Sequence, residues 1–332
     1  MNPVIKRLYS LILRFLLLPF CGVFAVWCAG VVYYNLSNQN ILLFWGWLVL
    51  AAGILIAGYR YRKFTFLLLC LELLIATYFL LLTPQKSFAN VKWQTPWTEK
   101  PFAVFHKNGL VTVHNIRDFY YRTTDDYDAH YTNMTFKPED VRTVDVALSH
   151  WDGLQPIAHT MLSFGFADGR YLVVSMETRL PVGAEQGFLP GIYKQYELLM
   201  VLGTENDLFK LRTNHRKEEL YLYRTNASEE QVRRILLGVL HGANQLQSHP
   251  RYYNSLTRNC TTSLSPILRV LDPGFVNDFR LLLNGYSDEL LFELGYLFHR
   301  RGETFDQLKA RRNINQYTEK ESDYSRAIRT AY

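Results

Sequence analysis

Apolar positions follow two different patterns along the 332 residues, and the change comes near residue 84. Before it they run almost unbroken in three stretches, about Phe15 to Tyr34, Ile41 to Tyr59 and Phe64 to Thr83. Each is close to the roughly 20 residues that a helix needs to cross a bilayer. The first is too long for the apolar core of a cleaved signal peptide, and two more follow at once, so three retained membrane helices are expected. Beyond residue 84 the apolar runs are short and separated by polar residues. Gly109 to His114, Asp145 to Ser149, Glu197 to Gly203 and Glu219 to Tyr223 read as strands. The clearest unit is Ala158 to Phe166, then Ala167-Asp168-Gly169, then Arg170 to Thr178, two apolar runs about an Asp-Gly turn. Ser228-Glu229-Glu230-Gln231 is a capping box that opens a helix to about Leu246. From Ser263 onward the chain reads as helical and irregular. The expectation is an α+β chain with an anchor over 1–84, a juxtamembrane linker over 85–100 and one domain over 101–332. Trp93 and Trp97 would hold the linker at the membrane interface.

Charge sets the expected topology. Lys6, Arg7 and Arg14 precede the first apolar run, and Arg60, Arg62 and Lys63 separate the second from the third. The turn from Asn35 to Asn40 carries no charge. By the positive-inside rule the N-terminus is cytoplasmic, and three crossings deliver the domain to the far side, the periplasm of a bacterium. Glu72 lies in the third run, where an ionisable group is either functional or bonded to a neighbouring helix. The net charge of +6 forms no basic stripe, and with a periplasmic address it argues against a nucleic-acid partner.

The hairpin brings two titratable residues together. If Ala167-Asp168-Gly169 is a three-residue loop, residues 166 and 170 face each other, and His159 stands opposite Glu177. The opposite face carries Leu162, Phe164, Phe166, Leu172, Val174 and Met176 and is a core face, which leaves His159 and Glu177 on the more polar side. A two-residue turn would shift the pairing and separate them. The pair is either an ordinary cross-strand contact or part of a site.

Of the four cysteines, Cys21, Cys28 and Cys70 lie in the apolar zone, and Cys260 alone lies beyond it, in Arg258-Asn259-Cys260-Thr261-Thr262. In an oxidising compartment such a thiol is either buried and inert or kept for its thiolate. Asn259 is a good helix N-cap, which would put Cys260 in a first turn whose free N–H groups stabilise a thiolate and bind an oxyanion. Pro266 limits the length of that helix. Cys260 as nucleophile, His159 as base and Glu177 as orienter make a candidate triad, since a thiol of pKa near 8.5 needs an imidazole to take its proton. Asn259, Thr261 and Arg179 are candidate oxyanion or substrate contacts. Arg179 either binds an anionic group or pairs internally with Glu197 or Glu205. Asp125-Asp126-Tyr127-Asp128-Ala129-His130 has metal-ligand residue types but reads as a solvated loop, and no metal or cofactor is expected.

Five stretches carry a resemblance. They are Val113 to Phe119, Ile157 to Phe164, Ser175 to Arg179, Tyr253 to Thr262 and Asn284 to Asp288. Together they resemble the bacterial family named for the N-terminal periplasmic domain of the lipoprotein N-acyltransferase Lnb, over roughly Pro101 to Leu297. The resemblance implies a circularly permuted papain-like thiol-enzyme fold in which a histidine and a cysteine, here His159 and Cys260, carry the activity. It implies a cysteine-dependent acyltransferase of the bacterial inner membrane that takes an acyl chain from a phospholipid or lipoprotein through a thioester. A papain-like peptidase or amidase acting on a periplasmic peptide or cell-wall substrate needs the same three residues. A membrane-anchored binding module without activity is the third reading.

Overall fold

The computed structural model describes residues 8, 11–35, 41–61, 70–78, 88–151, 155–259, 278, 280, 283–317 and 323–330. The chain divides into two compact units, Met1–Asn90 and Val91–Tyr332. In the first, two helices are long and apolar enough to cross a membrane, over Phe15–Asn35 and Ile41–Tyr61. Their regular α-helical parts are α1 (Leu18–Asn35) and α2 (Ile41–Tyr61). Three such helices were expected, and two are present among the described residues. Of the third expected span only 70–78 is described; it is helical, and Glu72 is exposed on it. The Cys28 thiol donates to the Leu74 carbonyl at 3.2 Å, and Cys28, Cys70 and Leu74 pack in one apolar cluster.

The second unit is built on a mixed sheet of eight strands among the described residues. Its strands are β1 (Phe102–Phe105), β2 (Val111–Arg117), β5 (Tyr131–Phe136), β6 (Val141–His150), β7 (Ala158–Phe166), β8 (Tyr171–Arg179), β9 (Glu197–Gly203) and β10 (Glu219–Arg224). The short pair β3 (Tyr120–Tyr121) and β4 (Tyr127–Asp128) forms a separate ribbon. The order across the main sheet is β1-β2-β9-β8-β7-β6-β10, with β5 on β2. Every pairing is antiparallel except β2 with β9, which meet at Arg117 and Gly203.

Both faces of the sheet are covered. On one lies α3 (Glu229–Ser248), opened by the Ser228–Gln231 capping box. It buries Val232, Ile235, Leu236, Val239, Leu240, Ala243 and Leu246, spaced as one helical stripe. That stripe packs on Leu162, Phe164, Phe166, Leu172, Val174 and Met176, the face expected to be the core. The other face was expected to be the more polar one, and it is a second core instead. Ala147, Met161, Val173, Leu199 and Val201 are covered there by Leu208, Phe209, Ile314, Tyr324 and Ile328. Its polar residues are buried because they satisfy one another. Ser163 donates to Glu205 at 2.5 Å, and Arg329 binds both carboxylate oxygens of Glu205 and one of Asp145. Arg117 grips Asp207 with two hydrogen bonds of 2.9 Å, and Asp207 also accepts from the Phe119 amide.

The reach from 91 to 100 belongs to this unit rather than forming a free interfacial linker. Trp93 bridges to Pro181, and Trp97 ends a short helical turn over Thr95–Trp97. Because Arg117 is 3 % exposed, removing its partner leaves a charge without compensation. Asp207→Ala is expected to cost about 3–5 kcal/mol in urea unfolding followed by tryptophan fluorescence. Asp126→Ala, which breaks an exposed ion pair with Arg122, is expected to leave the unfolding midpoint almost unchanged.

Candidate active site

The β7–β8 hairpin has the register that the three-residue loop requires. Phe164 pairs with Leu172 and Met161 with Ser175, the Gly169 amide donates to the Phe166 carbonyl, and Gly169 has φ of 85°. The same register carried two residues further sets His159 against Glu177. The two side chains do not touch directly. Ser175, on the same strand face, stands between them: His159 Nε2 is 2.6 Å from Ser175 Oγ, which is 2.9 Å from Glu177 Oε1.

Glu177 is held as an anion. Burial raises its pKa, but the guanidinium groups of Arg117 and Arg212, aided by a 2.9 Å hydrogen bond from Trp97 Nε1, hold it well below the usual carboxylate range. Arg212 donates to Glu177 at 3.3 Å. An ionised carboxylate only accepts, so the single Ser175 hydroxyl proton is committed to Glu177. Ser175 Oγ then accepts, and His159 Nε2 must carry the proton it receives. The imidazole is therefore the Nε2–H tautomer, with the lone pair on Nδ1. Burial, with the nearby positive charges of Arg212 and Arg216, pushes the His159 pKa down to about 3, against the pull of Glu177. At neutral pH the ring is uncharged.

Cys260 and Thr261 lie outside the described residues, so the thiol's position belongs to the proposal below. The described chain meets the end of the sheet that carries His159 at Arg251 and Tyr253 before them and at Asn284 after them. Upstream, Leu198 N donates to the Arg251 carbonyl and Tyr253 N to the Tyr196 carbonyl. These bonds lie at the start of β9, whose Leu199 pairs with Glu177. Downstream, Asn284 bonds both backbone groups of Ala158, the residue before His159. Gly285 follows because nothing larger fits: an added Cβ would lie 1.8 Å from the Gln155 carbonyl oxygen. Asn259 donates to the Ser255 carbonyl at 3.0 Å.

Arg179 is not available as a substrate contact. It donates to the carbonyls of Trp97 and Thr98 at 2.7 and 2.6 Å, pairs with Glu197 at 3.4 Å and stacks over Trp93. Of the internal partners weighed for it, Glu197 is the one used. In the acidic stretch after Thr124, Asp126 and Asp128 are paired with Arg122.

Two features escaped sequence reasoning. One is Ser175, whose place two residues before Glu177 on the same strand face was a readable signal. The other is a cavity of about 420 Å³ beside Glu177, with Trp97, Arg117, Tyr121, Arg212 and Arg216 in its walls. Those residues come from four separate segments, and no spacing announces them.

The model of the Lnb N-terminal periplasmic domain family matches residues 127–286. The match supports the resemblance read from the sequence. It spans His159, Ser175, Glu177, Arg179, Asn259, Cys260 and Thr261, and it leaves out Val113 to Phe119. A periplasmic domain of this kind behind two apolar N-terminal helices fits a membrane-anchored protein. No curated protein and no solved structure matches the chain.

The depressed His159 pKa has a consequence for stability. An unfolded histidine protonates near 6.5 and the folded one near 3. As pH falls across that window the unfolded chain binds a proton that the folded chain does not, so stability is lost toward acid. The contribution is fully present above pH 6.5 and its slope approaches about 1.4 kcal/mol per pH unit inside the window. His159→Gln is expected to make the stability curve between about pH 6 and pH 4 shallower by roughly one proton, measured by urea unfolding at a series of pH values.

Proposed function

We propose that the protein is a membrane-anchored, periplasmic, cysteine-dependent acyltransferase in which Cys260 is the nucleophile, His159 the base and Glu177 the orienter acting through Ser175. The observation that carries this reading is the His159–Ser175–Glu177 relay, which sets the imidazole's tautomer at the sheet end that Arg251, Tyr253 and Asn284 also meet. A permuted papain-like arrangement, histidine before cysteine in the chain, is part of the same proposal, as are a multi-pass anchor and a cytoplasmic N-terminus.

In the first half-reaction His159 Nδ1 takes the Cys260 thiol proton as sulfur attacks the carbonyl carbon of an ester-linked acyl chain. The oxyanion is received by backbone N–H groups about Asn259, Cys260 and Thr261. When the intermediate collapses the ester C–O bond breaks, and the imidazolium protonates the departing alkoxide, which leaves as an alcohol. A thioester remains on Cys260. In the second half-reaction an amine attacks the thioester while His159 takes its proton, the C–S bond breaks, and the proton returns to sulfur. With water as the second nucleophile the same residues give a hydrolase. Burial and the nearby Arg212 and Arg216 make protonation of the imidazole costly, and the charge on Glu177 reduces that cost without cancelling it.

The test is intact-mass spectrometry of the full-length protein after incubation with membrane phospholipids. Wild type is expected to gain a fatty-acyl increment that hydroxylamine removes, and Cys260→Ala to gain none. Equal labelling of both would overturn the thioester. Ser175→Ala is expected to lower kcat on the order of 10- to 100-fold, by freeing the imidazole to adopt the wrong tautomer, with much less change in KM.

A further inference from the structure

The cavity beside Glu177 is not used by the steps above, and its walls have a distinct chemistry. Three guanidinium groups meet there with aromatic rings. Two are committed. Arg117 spends two N–H groups on Asp207, and Arg212 donates to Glu177 and to the Leu208 carbonyl. The carboxylates opposing them are committed too: Asp207 also accepts from Phe119 and Tyr121, and Glu218 accepts from Ser149 at 2.6 Å.

Arg216 differs from the other two. Its contact to a carboxylate is a loose one, 3.7 Å to Glu218, its side chain is 42 % exposed, and it lies beside the positive charge of Arg212. The Arg212 Nε–H, fully buried, makes no hydrogen bond and faces the Glu218 carboxylate at 3.9 Å. The cavity thus offers one loosely engaged guanidinium, that of Arg216, whose paired N–H donors suit a singly charged group with two equivalent oxygens. Its volume of about 420 Å³ admits a glycerophosphate headgroup, and the rings of Trp97 and Tyr121 are part of its wall.

We infer that this cavity is a phosphate subsite which receives the phosphodiester of a membrane phospholipid, and so makes a phospholipid, rather than a phosphate-free lipidated peptide, the acyl donor. The inference rests on the acyltransferase reading and adds the donor class to it. Glu177 links the two places: it lines the cavity on one side and bonds Ser175 on the other. A headgroup anchored at Arg216 would bring its glycerol esters to the same end of the sheet as His159. Asp125 stands in the cavity wall and favours a phosphodiester of single charge over a doubly charged phosphate monoester.

The test is binding, so it is independent of turnover. Full-length Cys260→Ala protein in detergent micelles is titrated with dihexanoyl phosphatidylglycerol below its critical micelle concentration, followed by tryptophan fluorescence, since Trp93 and Trp97 line the cavity. Inorganic phosphate and dihexanoylglycerol are the comparison probes. Saturable binding of the phospholipid is expected, with inorganic phosphate and dihexanoylglycerol each at least tenfold weaker. Arg216→Gln is expected to weaken phospholipid binding about 10- to 100-fold without shifting the thermal unfolding midpoint. Binding unaffected by Arg216→Gln, equal binding of dihexanoylglycerol, or tighter binding of inorganic phosphate than of phospholipid would overturn the inference. An acyl adduct on wild-type Cys260 in spite of any of these results would leave the acyltransferase reading standing and assign the donor elsewhere.

Discussion

The β7–β8 hairpin is held to one register by a three-residue turn closed at Gly169, and the candidate site depends on that register at every point. A slip of one residue would send His159, Ser175 and Glu177 to the α3 face and bring Leu162 and Val174 to theirs. The turn tolerates no such slip, because Gly169 occupies left-handed backbone at φ 85° and Phe166 and Arg170 close it with a hydrogen bond. Buried apolar residues on both faces add the same constraint from the other direction: Leu162, Phe164 and Val174 on one, Met161 and Val173 on the other.

On that fixed strand pair, charges buried under the second face are arranged in opposed sets. Arg117 meets Asp207, Arg212 meets Glu177, and Arg329 meets Asp145 and Glu205. Such pairs return little net stability against burying well-packed apolar groups, since desolvation offsets the attraction. Their effect is on specificity. Glu177 stays ionised because Arg117 and Arg212 face it, its charge fixes the proton of Ser175, and that proton fixes the tautomer of His159. The chain of causes runs from an arginine in the helical segment Leu211–His215 to a lone pair on an imidazole about three side chains away.

Much of this was readable in the sequence and some was not. The β-branched run after Gly109 located β2, the Asp-Gly turn located β7 and β8, short apolar runs located β6, β9 and β10, and the capping box located the start of α3. Even the facing of His159 and Glu177 followed from counting outward from the turn. The strands β1, β3, β4 and β5 were missed; β5 alternates only over its last four residues, and β4 falls in the acidic stretch that read as a loop. The face holding His159 and Glu177 read as the more polar one, whereas Ser149, Ser163 and Ser175 are buried there, and Ser149 and Ser163 bond Glu218 and Glu205, which lie 69 and 42 residues away. Arg179 looked like an anion contact for the same reason: the carbonyls of Trp97 and Thr98 that occupy it lie some 80 residues earlier. The tryptophans of residues 91–100 suggested a membrane interface, yet Trp97 serves as a hydrogen-bond donor to Glu177. Cys260 was identified by its isolation among the cysteines and by family resemblance, and it lies outside the described residues.

A domain of the Lnb N-terminal periplasmic type, carried behind apolar helices, is thus equipped with a neutral imidazole whose free lone pair is on one defined nitrogen. The most direct test of that claim is the ring's own ¹⁵N spectrum. Full-length protein labelled with ¹⁵N-histidine is compared at pH 7 with His159→Gln, so that the missing signals identify His159. A protonated Nε2 and an unprotonated Nδ1, converting to a mixture of tautomers in Ser175→Ala, is the result expected. An imidazolium at pH 7, or a proton resident on Nδ1 in the wild type, would contradict the relay from Glu177 through Ser175.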